Sequence, residues 1–351
     1  MRQLQAGRAD CPTLPAVSVI VPNHNGKQFL HDCFSSLAST NYPKSKMETI
    51  MVDNGSSDGS VEYVEQNFPW VRVISFKENL GFGRGSNEGA SAARNEYLAF
   101  LNNDTVVERN WLIELIEQLS KDCRIVSSKT VFLRHPDIVE YSGGWLLPNG
   151  RGISTRFRRK DNFEAETYET GYPCAAAMVI EKKLFRTLCG FDGDYVASLD
   201  DTDLGWRAWL TGHRVLFCAL SKVCHLSGGT IGKKRNLPTR IYHGTKNAYC
   251  NVIKNMEFGN MVVGLGLALG FDLQEMLEIL RAGDALPLKA KARAYLWLAR
   301  NRRSLFEKRA FVQKARLNSD EMLVRKGLLL GKTDSLRQYL VTQSLTKEPS
   351  D

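Results

Sequence analysis

The run Tyr97-Leu98-Ala99-Phe100-Leu101-Asn102-Asn103-Asp104 decides the fold class. Five residues suited to a buried strand stop abruptly at two amides and a carboxylate. The sequence on either side supplies the context. Residues 17–21 (VSVIV) are a short β-branched run cut by Pro22. Residues 49–52 are a second run, ending in Asp53-Asn54-Gly55-Ser56-Ser57-Asp58-Gly59, and residues 71–74 are a third. Leu30, Cys33, Phe34 and Leu37 recur at helical spacing within 26–39, and further helices are expected over 61–68, 83–94 and 111–119. Strand alternating with helix predicts an α/β domain with a Rossmann-like, mostly parallel central sheet flanked by helices. In open α/β sheets, ligands bind beyond the carboxyl ends of the strands. The polar triplet at 102–104 therefore marks the end of a strand that faces a site.

Beyond residue 131 the pattern changes. Gly143, Gly144, Pro148, Gly150 and the basic cluster Arg156, Arg158, Arg159 and Lys160 predict loops or an exposed hairpin up to 172. Residues 174–180 are apolar again, 200–210 open with acids and continue as a helix, and 214–217 form another strand. After Asn255 the chain turns to helix-forming residues rich in Arg and Lys. Three parts are expected: a leader over 1–15, a main domain over 16–255 and a basic helical extension over 256–351.

The composition is that of an ordinary globular chain, 43% hydrophobic and 24% charged over 351 residues. The net charge of +9 sits in the tail: residues 281–351 carry 16 Lys and Arg against 7 Asp and Glu, and the remainder holds 31 of each. That asymmetry points the tail towards an acidic surface such as a membrane, with a solvated helical face as the plain alternative. Eight scattered cysteines without a Cys-x-x-Cys pair argue against a zinc ribbon. With no apolar core in residues 1–16, they lead to the expectation of a reducing cytoplasm. The longest apolar run, 261–271, is too short to span a bilayer.

Several constellations are candidates for chemistry. Asp53 follows a strand, where a carboxylate suits a base N–H or a ribose hydroxyl, or closes an Asx-turn. Asn79-Leu80-Gly81-Phe82-Gly83-Arg84-Gly85 has glycines at alternate positions before a helix, where backbone amides could approach phosphate. Its spacing is neither that of a dinucleotide fold nor that of a Walker loop. Asp104 suits a hard divalent cation, or caps the next element. Asp200, Asp201 and Asp203 exceed what a helix N-terminus needs, which leaves one as a candidate general base. A lone His225 is more often structural than a metal ligand.

In their order and spacing these segments resemble the family 2 glycosyltransferases of GT-A fold, in the rhamnosyltransferase and galactofuranosyltransferase-like branch. The resemblance runs over about 17–255. It rests on VSVIVPNHNG, IMVDNGSSDGSVEYV, NLGFGRGSNEGA, YLAFLNND, GFDGDYVASLDDTDLGWRAWLTGHRV, HLSGGT and TKNAYCNVIKN. It implies an inverting, metal-dependent transferase of cell-surface polysaccharide synthesis. Such an enzyme moves a sugar from a UDP- or dTDP-linked donor, rhamnose among the candidates, to a hydroxyl of a glycan or lipid-linked acceptor. Residue by residue, Pro22, Asn23, Asn25, Asp53, Asn79, Gly81, Asn102 and Asn103 would line the nucleotide-sugar pocket. Asp104 and His225 would hold Mn²⁺ or Mg²⁺, and Asp201 would be the catalytic base. Asp200, Trp206 and Arg207 would shape the acceptor side.

Four positions depart from the family's pattern: His24 for Tyr, Asp200 for Glu, Asn102 for the first Asp of the metal motif, and Lys246 for Arg. With one motif carboxylate fewer, the free ion should be held weakly and arrive with the nucleotide. The expected partners are a sugar nucleotide, a saccharide acceptor and, through the tail, the inner membrane face or a second subunit. Nucleic acid is not among them. Two other classes compete: a sugar-phosphate nucleotidylyltransferase, which needs a Gly-rich basic loop that PNHNG lacks, and a non-catalytic sugar-binding relative.

Overall fold

The structure, a computed structural model, describes residues 14–162, 166–227, 237–283 and 285–331, together with 333, 334 and 338. The leader expected over 1–15 falls almost wholly outside that range, as does the Gly228-Gly229-Thr230 part of the motif after His225.

The first half alternates as the sequence predicts. Strand β1 (Val17–Asn23) leads to α1 (Lys27–Ala38), β2 (Met47–Asn54) to α2 (Ser60–Asn67), and β3 (Val71–Phe76) to α3 (Gly81–Ala92). Strand β4 (Tyr97–Leu101) and the short β5 (Thr105–Val107) are followed by α4 (Trp111–Glu117). β3, β2, β1 and β4 lie side by side and all pair in parallel. Their side chains alternate between two cores. Val17, Val19 and Val21 pack with Leu30, Phe34 and Trp111 on one face, and Ile20, Ile50 and Phe100 with Phe185 and Trp206 on the other. Both faces are covered, which is why these strands read as unbroken apolar runs.

The second half is not parallel throughout. The chain continues as β6 (Cys123–Phe132), β7 (His135–Tyr141), β8 (Gly144–Leu146), β9 (Gly152–Ser154), β10 (Thr167–Glu169) and β11 (Ala177–Glu181). Then come α5 (Lys182–Thr187), α6 (Asp200–Leu210) and β12 (Arg214–His225). β11 lies antiparallel between β4 and β6, and β5, β7 and β10 also pair antiparallel to their neighbours. The expected mostly parallel sheet is therefore a mixed one, with ten strands. Hairpins rather than helical crossovers connect 131–172, so the chain returns to the sheet from the opposite end.

β12 also runs past the expected 214–217. A register shift between Cys218 and Lys222 interrupts its pairing with β6, and the strand then resumes beside β5 as far as His225. That bulge breaks the apolar run, with Leu220 51% exposed, so the sequence reads as if the strand had ended.

The C-terminal helices are α7 (Leu237–Asn255), α8 (Phe258–Ala282), α9 (Ala285–Arg300), α10 (Arg302–Lys314) and α11 (Asp320–Arg325). α7 is their shared support and also reaches α6. α10 and the segment after α11 return to the sheet domain: Lys308 pairs with Asp194 at 2.6 Å, and the Leu146 amide donates to Leu328 O at 2.8 Å. No helix among the described residues is long and apolar enough to cross a membrane.

Candidate active site

The carboxyl ends of β1, β2 and β4 are tied together by their polar turns. Asn23 donates to Asp53 Oδ1 at 3.0 Å and to Ser56 Oγ at 3.1 Å, and Asn103 donates to Asn23 Oδ1 at 2.7 Å. Ser56 donates its amide to Asp53 Oδ2 at 2.9 Å, so the Asx-turn is real, and its hydroxyl supplies a further bond to Oδ1. Asn25 accepts from the Ser57 amide at 2.8 Å and gives its own amide to Ser56 Oγ at 2.9 Å. Pro22 lies within β1 opposite Val52, one residue before the strand ends, and His24 Nδ1 lies 2.8 Å from Asn54 O. Gly26 leaves no room for a side chain, since a Cβ there would lie 2.2 Å from Asn103 Nδ2. Asn23, Asp53 and Asn103 are buried at 1%, 2% and 7% exposure, forming a rigid polar floor below the strand ends.

The glycine row behaves differently from the sequence expectation. Gly81 has φ +79° and begins α3; its amide is taken by Asn79 Oδ1 at 2.8 Å and the next amide by Val196 O at 3.0 Å. A Cβ on Gly83 would meet Asp192 O and Tyr195 O, and one on Gly85 would meet Asn54. The alternate glycines let α3 pack against the 191–196 loop and β2. The first two amides of the helix are already used within the protein.

At the far end of β4, Asp104 Oδ1 lies 3.1 Å from His225 Nε2, although 121 residues separate them. The pairing of Thr105 with His225 between β5 and β12 creates this contact. The side-chain Nδ2 of Asn102 is 3.2 Å from the same nitrogen. The other ring nitrogen, Nδ1, faces Glu140 of β7 at 2.7 Å. Burial disfavours a charged ring, but Glu140 and Asp104 outweigh it and raise the His225 pKa well above the ordinary value. Burial acts on Glu140 too, yet His225 holds that carboxyl below its usual range. Glu140 has no counterpart in the sequence reasoning. It lies in the stretch where periodicity blurs, and only strand pairing brings it to the histidine.

The acids of α6 separate by environment. Asp203 is fully buried and structural, bonded to Arg207 at 2.9 Å, Lys254 at 2.8 Å and Asn255 at 3.1 Å. Asp201 Oδ1 accepts the Thr202 amide at 2.7 Å, and Oδ2 accepts the Ala175 amide at 3.3 Å. The next residue, Ala176, accepts the Asn102 amide at 3.0 Å. Asp201 and the start of the 102–104 turn thus bond to neighbouring residues of one short segment, the first to the Ala175 amide and the second to the Ala176 carbonyl, from two elements about a hundred residues apart. Burial raises the pKa of Asp201; it raises that of Asp200 well above the ordinary value, with the Asp201 charge adding to it.

Comparison with known proteins places this geometry. The model described as Glycosyl transferase family 2 matches residues 18–189. Residues 18–189 belong to glycosyl transferase family 2.

Curated relatives include the glycosyltransferase AglE of Haloferax volcanii, 34% identical over 111 residues, which is 31% of this chain and 36% of that protein. The O-antigen biosynthesis protein RfbC of Myxococcus xanthus is 29% identical over 229 residues, 60% of this chain and 17% of that protein. The chain therefore spans well under half the length of these relatives. Among solved structures, the mannosyltransferase PcManGT of Pyrobaculum calidifontis, in complex with GDP-Man and Mn²⁺, has a TM-score of 0.54 at 17% identity. It covers 87% of this chain and 86% of its own. TarS 1–349 of S. aureus, in complex with UDP-GlcNAc, has a TM-score of 0.51 at 18% identity, covering 72% and 71%. At these identities the likeness is one of fold, the GT-A arrangement.

The family 2 match ends at 189, so Asp200, Asp201 and His225 lie beyond it and join the site through packing. Trp206 and Arg207, expected on the acceptor side, are placed elsewhere. Trp206 is fully buried in the core, and Arg207 is buried with its guanidinium on Asp203, Leu188 O and Gly190 O. The helical period that brings Asp201 to the Ala175 amide turns Trp206 and Arg207 inward.

The residues present also fit a divalent cation. Glu140 on Nδ1 fixes the ring with Nε2 beside Asp104, and a cation bound there would displace the Nε2 proton that the two carboxylates otherwise favour. Adjacent donors on an octahedral ion with ~2.1 Å bonds are ~3 Å apart, and Asp104 and His225 are 3.1 Å apart. Among the described residues no group of three or more His, Cys, Asp or Glu could hold an ion unaided.

Proposed function

We propose that the chain is an inverting, metal-dependent glycosyltransferase. In this reading a nucleoside diphosphate sugar lies across the ends of β1, β2 and β4, and its sugar passes to an acceptor hydroxyl presented beside Asp201. The single observation behind the reading is the shared segment at 175–176, with Asp201 on the Ala175 amide and the Asn102–Asp104 turn, joined to His225, on the Ala176 carbonyl. A base and an anion-stabilising end are needed on two sides of one sugar, and the two contacts with this segment support that reading.

The Asn23, Asp53 and Asn103 floor would receive the nucleoside, its side chains held by their mutual bonds. Asp104 and His225 would hold Mn²⁺ or Mg²⁺. When bound, the ion supplies Lewis-acid stabilisation of the negative charge that gathers on the diphosphate leaving group. Asp201 accepts the proton of the acceptor hydroxyl as its oxygen attacks the anomeric carbon and the carbon–phosphate-oxygen bond breaks. One displacement inverts that centre. A carboxylate with a raised pKa is a better base than an ordinary one, provided it is ionised.

The names of the relatives, an O-antigen biosynthesis protein and glycosyltransferases, support a glycan or lipid-linked acceptor in envelope polysaccharide synthesis. The complexes of the structural neighbours with GDP-Man, UDP-GlcNAc and Mn²⁺ support the donor class and the ion. Incubation with Mn²⁺ and UDP-glucose, UDP-GlcNAc, GDP-mannose or dTDP-rhamnose tests the proposal. One of these should be slowly hydrolysed without an acceptor, and Asp201→Asn should lower turnover by ~10²–10⁴. Full activity in that variant, or no turnover of any sugar nucleotide in hydrolysis and acceptor-supplemented assays, would reject it.

A further inference from the structure

Two residues before α6, the backbone does something costly. Ser198 and Leu199 both take left-handed conformations, φ +66° and +62°, and neither is glycine. Each such residue costs roughly 1–2 kcal/mol, so the surroundings must hold the turn. The holder is Asn247 of α7. Its Nδ2 donates to Ala197 O at 2.8 Å and to Ser198 O at 2.6 Å, and the side chain is fully buried. These carbonyls lie immediately before the residue that starts α6, and the Leu199 carbonyl then accepts the Asp203 amide. The orientation of these peptide planes sets the direction in which Asp200 and Asp201 leave the turn.

Asn247 does not act alone. Asn251 and Asn255 follow at four-residue steps on the same face, both fully buried. Asn251 accepts from Tyr195 Oη at 2.7 Å and donates to Gly150 O at 2.9 Å, while Asn255 donates to Asp203. The Oδ1 atoms of Asn247 and Asn255 are buried with no partner. A buried polar atom without a partner is destabilising, so the fold gives up an acceptor at each position and retains the donor. A leucine would fill the same space; it could not hold two carbonyls.

We infer that Asn247 is a positioning residue for Asp201, and that the α7 asparagine row couples the C-terminal helices to the base. The inference rests on the reading of Asp201 as the base. Hydrogen exchange and kinetics on the full chain carrying Asn247→Ala test it together. Exchange at the amides of Asp201, Thr202 and Asp203 should speed up while β1 and β2 keep their protection. With the sugar nucleotide that the wild type turns over, kcat should fall ~10–100-fold, with donor KM and UDP affinity in Mn²⁺ within ~2-fold. Asn247→Ser, which keeps one donor, should fall between, and it carries the same test should the alanine variant fail to fold. Unchanged exchange at 201–203, or unchanged kcat, would overturn the inference, as would UDP affinity falling in step with kcat. Asp201→Asn measured alongside separates the two failures. Activity in that variant sinks the base assignment, whereas its inactivity beside a fully active Asn247→Ala sinks only the positioning role.

Discussion

Asp200 and Asp201 are neighbours on one helix, yet their environments assign them different states. Both pKa values are raised by burial, that of Asp200 the further because the Asp201 charge acts on it. The two carboxyls titrate as a pair, and Asp201 can serve as the base only as the ionised member, with the remaining proton on Asp200. Activity needs ionised Asp201, so it should be lost as pH falls through a limb lying above the ordinary carboxylate value. Asparagine resembles the protonated form of Asp200, so Asp200→Asn should stay within about 3-fold of wild type at the pH optimum, in contrast to Asp201→Asn. A pH–rate profile of both variants checks this, and equal losses would contradict it. Asp203 shows what the sequence could not express. Three acids in four residues are legible as a cluster, but only the buried Arg207 and Lys254 beside Asp203 reveal that one of them is structural.

The strands and their turns make the site possible at the scale of elements. Gly26 precedes α1 beside the polar turns that follow β1 and β4, and no side chain fits against Asn23 and Asn103 there. Its φ of −114° is open to any residue, so the requirement is one of space alone. Gly26→Ala should destabilise the fold by ~1–3 kcal/mol and weaken UDP binding more than it lowers kcat. Calorimetric UDP titration and thermal unfolding check this, and unchanged UDP affinity would contradict it. β1 to β4 were legible because each carries a short run dominated by apolar residues and the breaks between them carry turn residues. β12 was legible for only a third of its length, because its bulge exposes Leu220 in mid-strand. The glycine row was legible as a feature, but its packing role was not. Which surface meets a glycine, here the 191–196 loop, is decided by packing that no local pattern records.

Across the whole molecule, the site depends on meetings between distant segments: Asp104 with His225, Asp201 with the 175–176 segment, and α7 with the turn before α6. The order of motifs along the chain made the residues legible, and the fold class with them. The sheet's antiparallel second half and the role of Glu140 were not, because both depend on how hairpins return to the sheet. The claim most exposed to test is that Asp104 and His225 form an incomplete cation site that a nucleoside diphosphate completes. The direct measurement is a Mn²⁺ titration of the full chain, followed by the resonance of the free ion, with and without UDP. The account predicts weak binding to the protein alone, ~10–100-fold tighter binding with UDP present, and loss of that gain in Asp104→Asn and His225→Ala. Tight binding without nucleotide, or an undiminished gain in either variant, would contradict it.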